Sequence, residues 1–259
     1  MVMLYDHPLS PYAQKVKIAL REKSVGFETR MTDIVNGGTA DFVATSPRGE
    51  VPSLVNGSVV ISDSTIICEY IEDQWPSPAL RPPQPAARAR VRLIEDMCDS
   101  SYDPPAWGMM EVAVFKRVEG PLAETLAKVA RQDVDGINDW LTGQLGEHQW
   151  FNGTSFGWGD MAVAPFVYFS SVVGLPPAPG PLADWYARVA RRPSVAATFA
   201  EGDAVLGLIA DVPAMMKSPS FRREYRDHRL EWMIRSGGID LVIEGLKHNN
   251  IRFSPPVRR

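Results

Sequence analysis

The chain has 259 residues, of which 45% are hydrophobic and 22% charged, with a net charge of −4. That is the balance of a globular protein long enough for one large domain or two ordinary ones. The mild acidity offers no field for nucleic acid or anionic lipid, no apolar run nears the roughly 18 residues of a membrane span, and the opening MVMLYDHP lacks the basic and apolar regions of a signal peptide, so a cytoplasmic protein with no nucleic-acid and no membrane partner is expected.

Residues 2–5 read as a short strand. After a His-Pro-Leu loop come Ser10 and Pro11, a favoured N-cap followed by Pro at the first helical position. In the helix they open, Tyr12, Val16, Ala19 and Leu20 share one face, while Gln14, Lys15, Lys17 and Arg21 fall on the polar side. Phe27, Thr29 and Met31 alternate with Glu28, Arg30 and Thr32 in the period of a half-buried strand. A Gly-Gly loop and a short helical patch at 41–44 follow. VPSLVNGSVVIS reads as a hairpin turning at Asn56-Gly57. DSTIICEYIED then predicts a helix with Ile66, Ile67, Tyr70 and Ile71 on one face. The order is β-α-β-α-β-β-α.

WPSPALRPPQPAARAR breaks every period with its prolines and reads as an interdomain linker. Beyond it the strand signal nearly disappears. Helical patterns run over 86–100, 106–130, 134–145, 158–170 and 182–190, with a short turn from Ser194, which predicts an all-α domain. Cys68 and Cys98 both sit in helical patterns and read as small buried hydrophobes, not as a disulfide pair. His7, His148, His228 and His248 are scattered without ligand spacing, so no metal is expected. In the tail, SPSFRREYRDHRLEWMIRSGG predicts a helix starting near Ser218 or Ser220 and stopping at Gly237-Gly238; IDLVIEGLKH is a second helix and NNIRFSPPVRR an extended end. Arg222, Arg223, Arg226 and Arg229 form a basic strip that reads as a solvated face.

Five segments carry a resemblance. SPYAQKVKIALREK, SPRGEVPSL, ISDSTIICEYIED, FGWGDMAVAPF and WYARVARRPSV resemble, in order, motifs of the cytosolic glutathione S-transferases, the first of them in its serine-type form. The resemblance covers residues 1–200 or so and implies an α/β thioredoxin-like N-terminal domain (βαβαββα) at 1–78, a linker at 79–87, an all-α helical bundle domain at 88–201 and a helical extension at 202–259. It also implies glutathione as co-substrate, a small-molecule electrophile and a homodimer. The extension looks like those of some bacterial glutathione lyases and aryl-ether-cleaving transferases.

Such chemistry needs the thiolate of glutathione, not its thiol. Lowering a thiol pKa of about 8.5 by two units takes roughly 2.7 kcal/mol of preferential stabilisation. One hydrogen bond to a charged group contributes about 1.5–3 kcal/mol, and a helix N-terminus about 0.3–1 kcal/mol more. The resemblance assigns the thiolate contact to Ser10. Its oxygen can cap the helix while its proton is donated outward, so cap and catalyst are compatible. Tyr5 is the rival, because some classes use a tyrosine near the end of the first strand.

For the rest of glutathione, the resemblance puts a cis proline at Val51-Pro52, offering the Val51 backbone to the cysteinyl part as an added strand. Asp63-Ser64 opens a helix whose free N–H groups suit the γ-glutamyl carboxylate, with Asp63 beside the ammonium group. Glu50 departs from the family, which usually has Lys, Arg or Gln there; it would repel the glycyl carboxylate unless Arg48 or a water compensates. The loop over 36–40 lacks the basic residue that often helps. In FGWGD, Gly157 and Asp160 suit a capping arrangement that serves folding.

The electrophile pocket is expected between the domains, walled by Pro8, Leu9, Tyr12, Tyr102, Trp107 and Met109, with the tail as a lid or a buttress. Three readings stay open: a serine-type glutathione transferase, a glutathione-dependent aryl-ether lyase, and a transferase-like binding or regulatory protein without catalysis.

Overall fold

A computed structural model describes residues 1–32, 39–206, 212–216, 223–225 and 227–253. The starts near Ser218 or Ser220, the Gly-Gly loop up to residue 38, Arg222 and Arg226 lie outside them. The N-terminal unit contains β1 (Val2–Asp6), α1 (Pro11–Glu22), β2 (Phe27–Met31), α2 (Ala40–Thr45), β3 (Ser53–Asn56), β4 (Val59–Ser62) and α3 (Ser64–Gln74). Its sheet has the order β2-β1-β3-β4, with β1 parallel to β2 and antiparallel to β3, and β3 antiparallel to β4. This is the thioredoxin-like arrangement that the β-α-β-α-β-β-α order predicts.

Register brings three loops together. Ser53 at the start of β3 is opposite Tyr5 near the end of β1 and opposite Ser62 at the end of β4. The chain leaving β1 toward Ser10, the chain entering β3 through Val51-Pro52 and the chain leaving β4 into α3 therefore meet at one end of the sheet. β2 departs from the sequence reading. It is the edge strand: Phe27 packs partly on the core, but the rest of β2 is exposed, Met31 at 66%, so the alternation does not bury one whole face.

The polar side predicted for α1 is also buried. α1 packs against α3 and against helices of the second domain, and Gln14, Lys15 and Lys17 are as enclosed as Val16 and Leu20. A helix between two layers has no solvent face, so its lysines need acids from both sides.

The second domain begins with α4 (Pro85–Met97), which continues through a π-helical turn at Cys98–Tyr102 into α5 (Asp103–Met109) and a second π-helical turn at Met110–Val114. The predicted break near 100 is thus a change of helical pitch. Pro104 and Pro105 bring no N–H to the regular ladder there. The real break lies at 115–120, before α6 (Pro121–Leu145), which joins two segments predicted as separate helices. α7 (Trp158–Val172) is buried along nearly its whole length. α8 (Pro181–Val189) and α9 (Pro193–Leu206) complete the bundle, and α9 replaces the short turn expected from Ser194.

The extension holds α10 (Val212–Met216), β5 (Arg223–Tyr225), α11 (Asp227–Arg235), α12 (Ile239–Lys247) and β6 (Ile251–Phe253). β5 pairs in parallel with β6, so residues 223–225 are strand where the sequence predicts helix. Arg229 is not on a solvated face either: its side chain is 14% exposed. Among the described residues no helix is long and apolar enough to cross a membrane.

Candidate active site

Ser10 is the N-cap of α1. Its Oγ accepts a hydrogen bond from Ala13 N–H at 3.3 Å, and its own N–H donates to His7 C=O at 2.8 Å. Gln14 Nε2 donates to Pro8 C=O at 2.7 Å and Leu9 N–H to His7 Nδ1 at 3.3 Å, so the short loop is held from both ends. Among the described residues the Ser10 hydroxyl proton has no acceptor. Burial, with the charge of Lys17 adding to it, lowers the His7 pKa to about 4. The imidazole is therefore neutral, and Nδ1 is the acceptor for Leu9.

The Val51–Pro52 bond is cis. Ser46 fixes the approach to it, accepting from Glu50 N–H at 2.9 Å and donating to Glu50 C=O at 2.8 Å. Arg48 Nη2 is 2.8 Å from Glu50 and 3.8 Å from Asp63, so one guanidinium lies between two carboxylates. Asp63 caps α3, accepting from Thr65 N–H at 3.0 Å and Ile66 N–H at 3.1 Å. It does so at φ 82°, a region uncommon for a residue with a Cβ and frequent at ligand sites. Ser64 follows as the first residue of α3 and is buried.

Behind this helix start is an ionic cluster that sequence reasoning missed. Lys15 Nζ lies 2.6 Å from Glu95 and 2.8 Å from Asp99, with Thr65 Oγ1 at 3.3 Å. Thr65 Oγ1 in turn donates to Glu95 at 2.9 Å, and Trp158 Nε1 donates to the other Glu95 oxygen at 2.7 Å. Burial opposes the charge on Lys15, but Asp99 and Glu95 overcome it and keep the ammonium protonated. Burial pushes Asp99 up to about 6 against the pull of Lys15, while Glu95 stays below its ordinary value because Lys15, Trp158 and Thr65 outweigh its burial. Cys68 lies against the same charges, and burial pushes its thiol up, far from a reactive thiolate.

The aromatic residues divide. Tyr5 is 5% exposed and packs on Phe42 with ring centroids 5.7 Å apart. Pro8 and Tyr12 are half-buried and Leu9 is buried; Tyr12 donates its hydroxyl to Asp99 C=O at 2.7 Å and meets Phe166 edge-on. Tyr102 is a correction to the expected wall. It is fully buried, its hydroxyl 2.9 Å from both Asn138 Oδ1 and Ser170 Oγ, because the π-helical turn aims it into the bundle. Met109 is also buried. Trp107 is half-buried and enclosed by Phe169, Phe115 and the Arg229 guanidinium. A separate cleft of about 360 Å³ between α6 and residues 177–182 contains none of the expected site residues. Among the described residues there is no group of three His, Cys, Asp or Glu that could hold a metal ion.

Comparison with known proteins bears on the family and the fold. Residues 4–79 match the family model for the glutathione S-transferase N-terminal domain, and residues 85–188 that for the C-terminal domain. The chain is 29% identical to glutathione S-transferase U28 of Arabidopsis thaliana over 219 residues, covering 79% of this chain and 91% of the relative. It is 28% identical to the glutathione S-transferase GstB of Escherichia coli K12 over 200 residues, covering 75% and 96%. A crystal structure of a glutathione S-transferase from Rhodospirillum rubrum superposes with a TM-score of 0.67 at 28% identity, covering 76% of this chain and 91% of the other. With both domains of the pair present in order, and the fold shared with solved members, the chain belongs to the glutathione S-transferase family.

Proposed function

We propose that this glutathione S-transferase is of the serine type, with Ser10 donating a hydrogen bond to the sulfur of bound glutathione. The observation that carries the reading is the Ser10 hydroxyl: it caps α1 through its oxygen, yet among the described residues its proton has no acceptor. The cis Val51–Pro52 segment and the Asp63-Ser64 helix start, which share the same end of the sheet, support a glutathione site around it. Tyr5 is the weaker rival because its ring is packed under Phe42. The Arg48 bridge neutralises Glu50 in part and offers the glycyl carboxylate a cation.

In this reading the thiol proton leaves to solvent and the thiolate attacks an electrophilic carbon of an apolar substrate. A C–S bond forms, and the leaving group departs with the electron pair of the bond that breaks. Pro8, Leu9, Tyr12 and Trp107 remain the pocket wall. A homodimer fits the same reading, since Val60, Ile66 and Leu93 on β4, α3 and α4 expose apolar side chains.

The test is the ultraviolet thiolate absorbance of bound glutathione, titrated with pH in the wild type and in Ser10→Ala. A depressed thiol pKa that returns by about two units in Ser10→Ala, worth roughly 2.7 kcal/mol, is the expected result. A depressed pKa untouched by the substitution moves the role to Tyr5 or a backbone amide. No binding at millimolar glutathione overturns the enzyme in favour of a binding or regulatory protein.

A further inference from the structure

We propose that the C-terminal extension supplies a positioning residue to the electrophile pocket: Arg229 holds the Trp107 indole and through it sets affinity for the electrophile. The location of that pocket rests on the transferase reading above; the clamp itself does not.

α11 lies on α5, and Gly108 is the point of entry. The Trp232 ring occupies the space that a Cβ at Gly108 would need. Trp232 is 1% exposed, and its Nε1–H donates to Asp133 at 2.7 Å. Arg235 from the next turn of α11 reaches the same Asp133 oxygen at 2.9 Å. These contacts dock the helix. Arg229, one turn earlier, does something different. Its Nε–H donates to Asp103 at 3.0 Å, and the flat guanidinium lies over the Trp107 ring, 4.4 Å from the centroid. Phe169 stacks near-parallel to the same indole at 21° and Phe115 meets it edge-on. The ring is thus fixed by the bundle and by a cation that the extension carries in.

The helix bearing Trp107 has need of such a clamp. α5 has only seven residues and is flanked on both sides by π-helical turns, with two consecutive prolines in its first turn. Its own backbone ladder holds it less firmly than an unbroken helix would. Among the described residues, Asp103, Tyr12 and Glu111 act on the guanidinium electrostatically, and Tyr12 belongs to the first turn of α1 immediately after Ser10 and Pro11. Arg229 therefore joins the extension to α5 through Asp103 and Trp107. A planar guanidinium suits this double role, one edge to a carboxylate and one face to an indole; a lysine fits only the first.

Two measurements on the full-length chain test this, using Arg229→Met, Arg229→Lys and Arg235→Ala. One is the set of KM values for 1-chloro-2,4-dinitrobenzene and glutathione. The other, independent of turnover, is binding of unreactive 2,4-dinitrotoluene followed by quenching of tryptophan fluorescence. Arg229→Met is expected to weaken dinitrotoluene binding and raise the electrophile KM by about 5-fold or more, with the glutathione KM within about 2-fold. Arg229→Lys, which keeps the ion pair, restores the melting temperature but not the affinity. Arg235→Ala, which removes only a docking contact, leaves both affinities unchanged. The inference is overturned if Arg229→Met and Arg235→Ala act alike, if electrophile and glutathione constants move together or not at all, or if the wild type binds no dinitrotoluene. Arg229-dependent binding without glutathione turnover sustains the clamp and removes the transferase reading instead.

Discussion

Ser10 and His7 show how much one short loop must reconcile. The serine oxygen is occupied as a cap and its proton is not, which the Ser-Pro pair alone left undecided. His7 closes the same loop through a neutral imidazole. Its pKa in the fold, about 4, lies below its ordinary 6.5, because burial and then Lys17 oppose the charged form. The stability this contributes is complete above pH 6.5 and lost as pH falls through about 4. By linkage the loss amounts to about 3 kcal/mol across that window. We expect urea midpoints of the wild type to fall between pH 7 and pH 4.5 by more than those of His7→Gln. Parallel profiles for the two proteins would show that protonating His7 costs the fold nothing. The identity of His7 was plain in the sequence, but its burial was not, since the period of β1 ends one residue before it.

Among the elements, α1 departs furthest from its period. Its start and its apolar stripe were legible in Ser10-Pro11 and in Val16, Ala19 and Leu20. Lys15 and Lys17 were not, because a helical wheel assigns any lysine to water, whereas their partners Glu95, Asp99, Asp6 and Glu201 come from other elements. Of the candidate site, the backbone devices were legible: the cis bond at Val51-Pro52, which the family resemblance implied, and the helix start at Asp63-Ser64. Tyr102 was misplaced because the π-helical turn that rotates it leaves no mark in the apolar period. The buried cluster also predicts a cost. Lys15→Met leaves Glu95 and Asp99 facing each other without a cation, which should destabilise the protein by about 3–5 kcal/mol near pH 7.5. Both carboxylates would then have raised pKa values in the fold, and stability from a raised pKa is lost as pH rises. The deficit should therefore shrink at pH 5.5, as measured by urea denaturation at the two pH values. An equal deficit at both would mean that Lys15 contributes packing and not charge.

For the whole molecule, the order of elements and the change from α/β to all-α were readable because period and proline content are local properties. The seam between the layers was not, because it is ionic and long-range: Lys17 and Arg21 reach Glu201, and Arg192 reaches Glu22. Ile66 is the most useful misreading. The period put it on the buried face of α3, yet it is 58% exposed, as Leu93 is at 55% and Val60 at 50%. Such side chains on neighbouring elements cover nothing in the protomer and suit an isologous two-fold contact, in which one patch meets its own copy. Ion pairing of Arg92 with Glu69 ties α4 to α3, so this face forms one surface. Light scattering should give the wild type twice the 28.6 kDa chain mass. Combining Ile66→Glu with Leu93→Glu should halve it. Exposed substitutions change protomer stability by only about 0.5 kcal/mol each, so the smaller species should keep its circular dichroism spectrum. A wild type that already runs at the chain mass at micromolar concentration would leave these apolar residues without a partner and end the dimer reading.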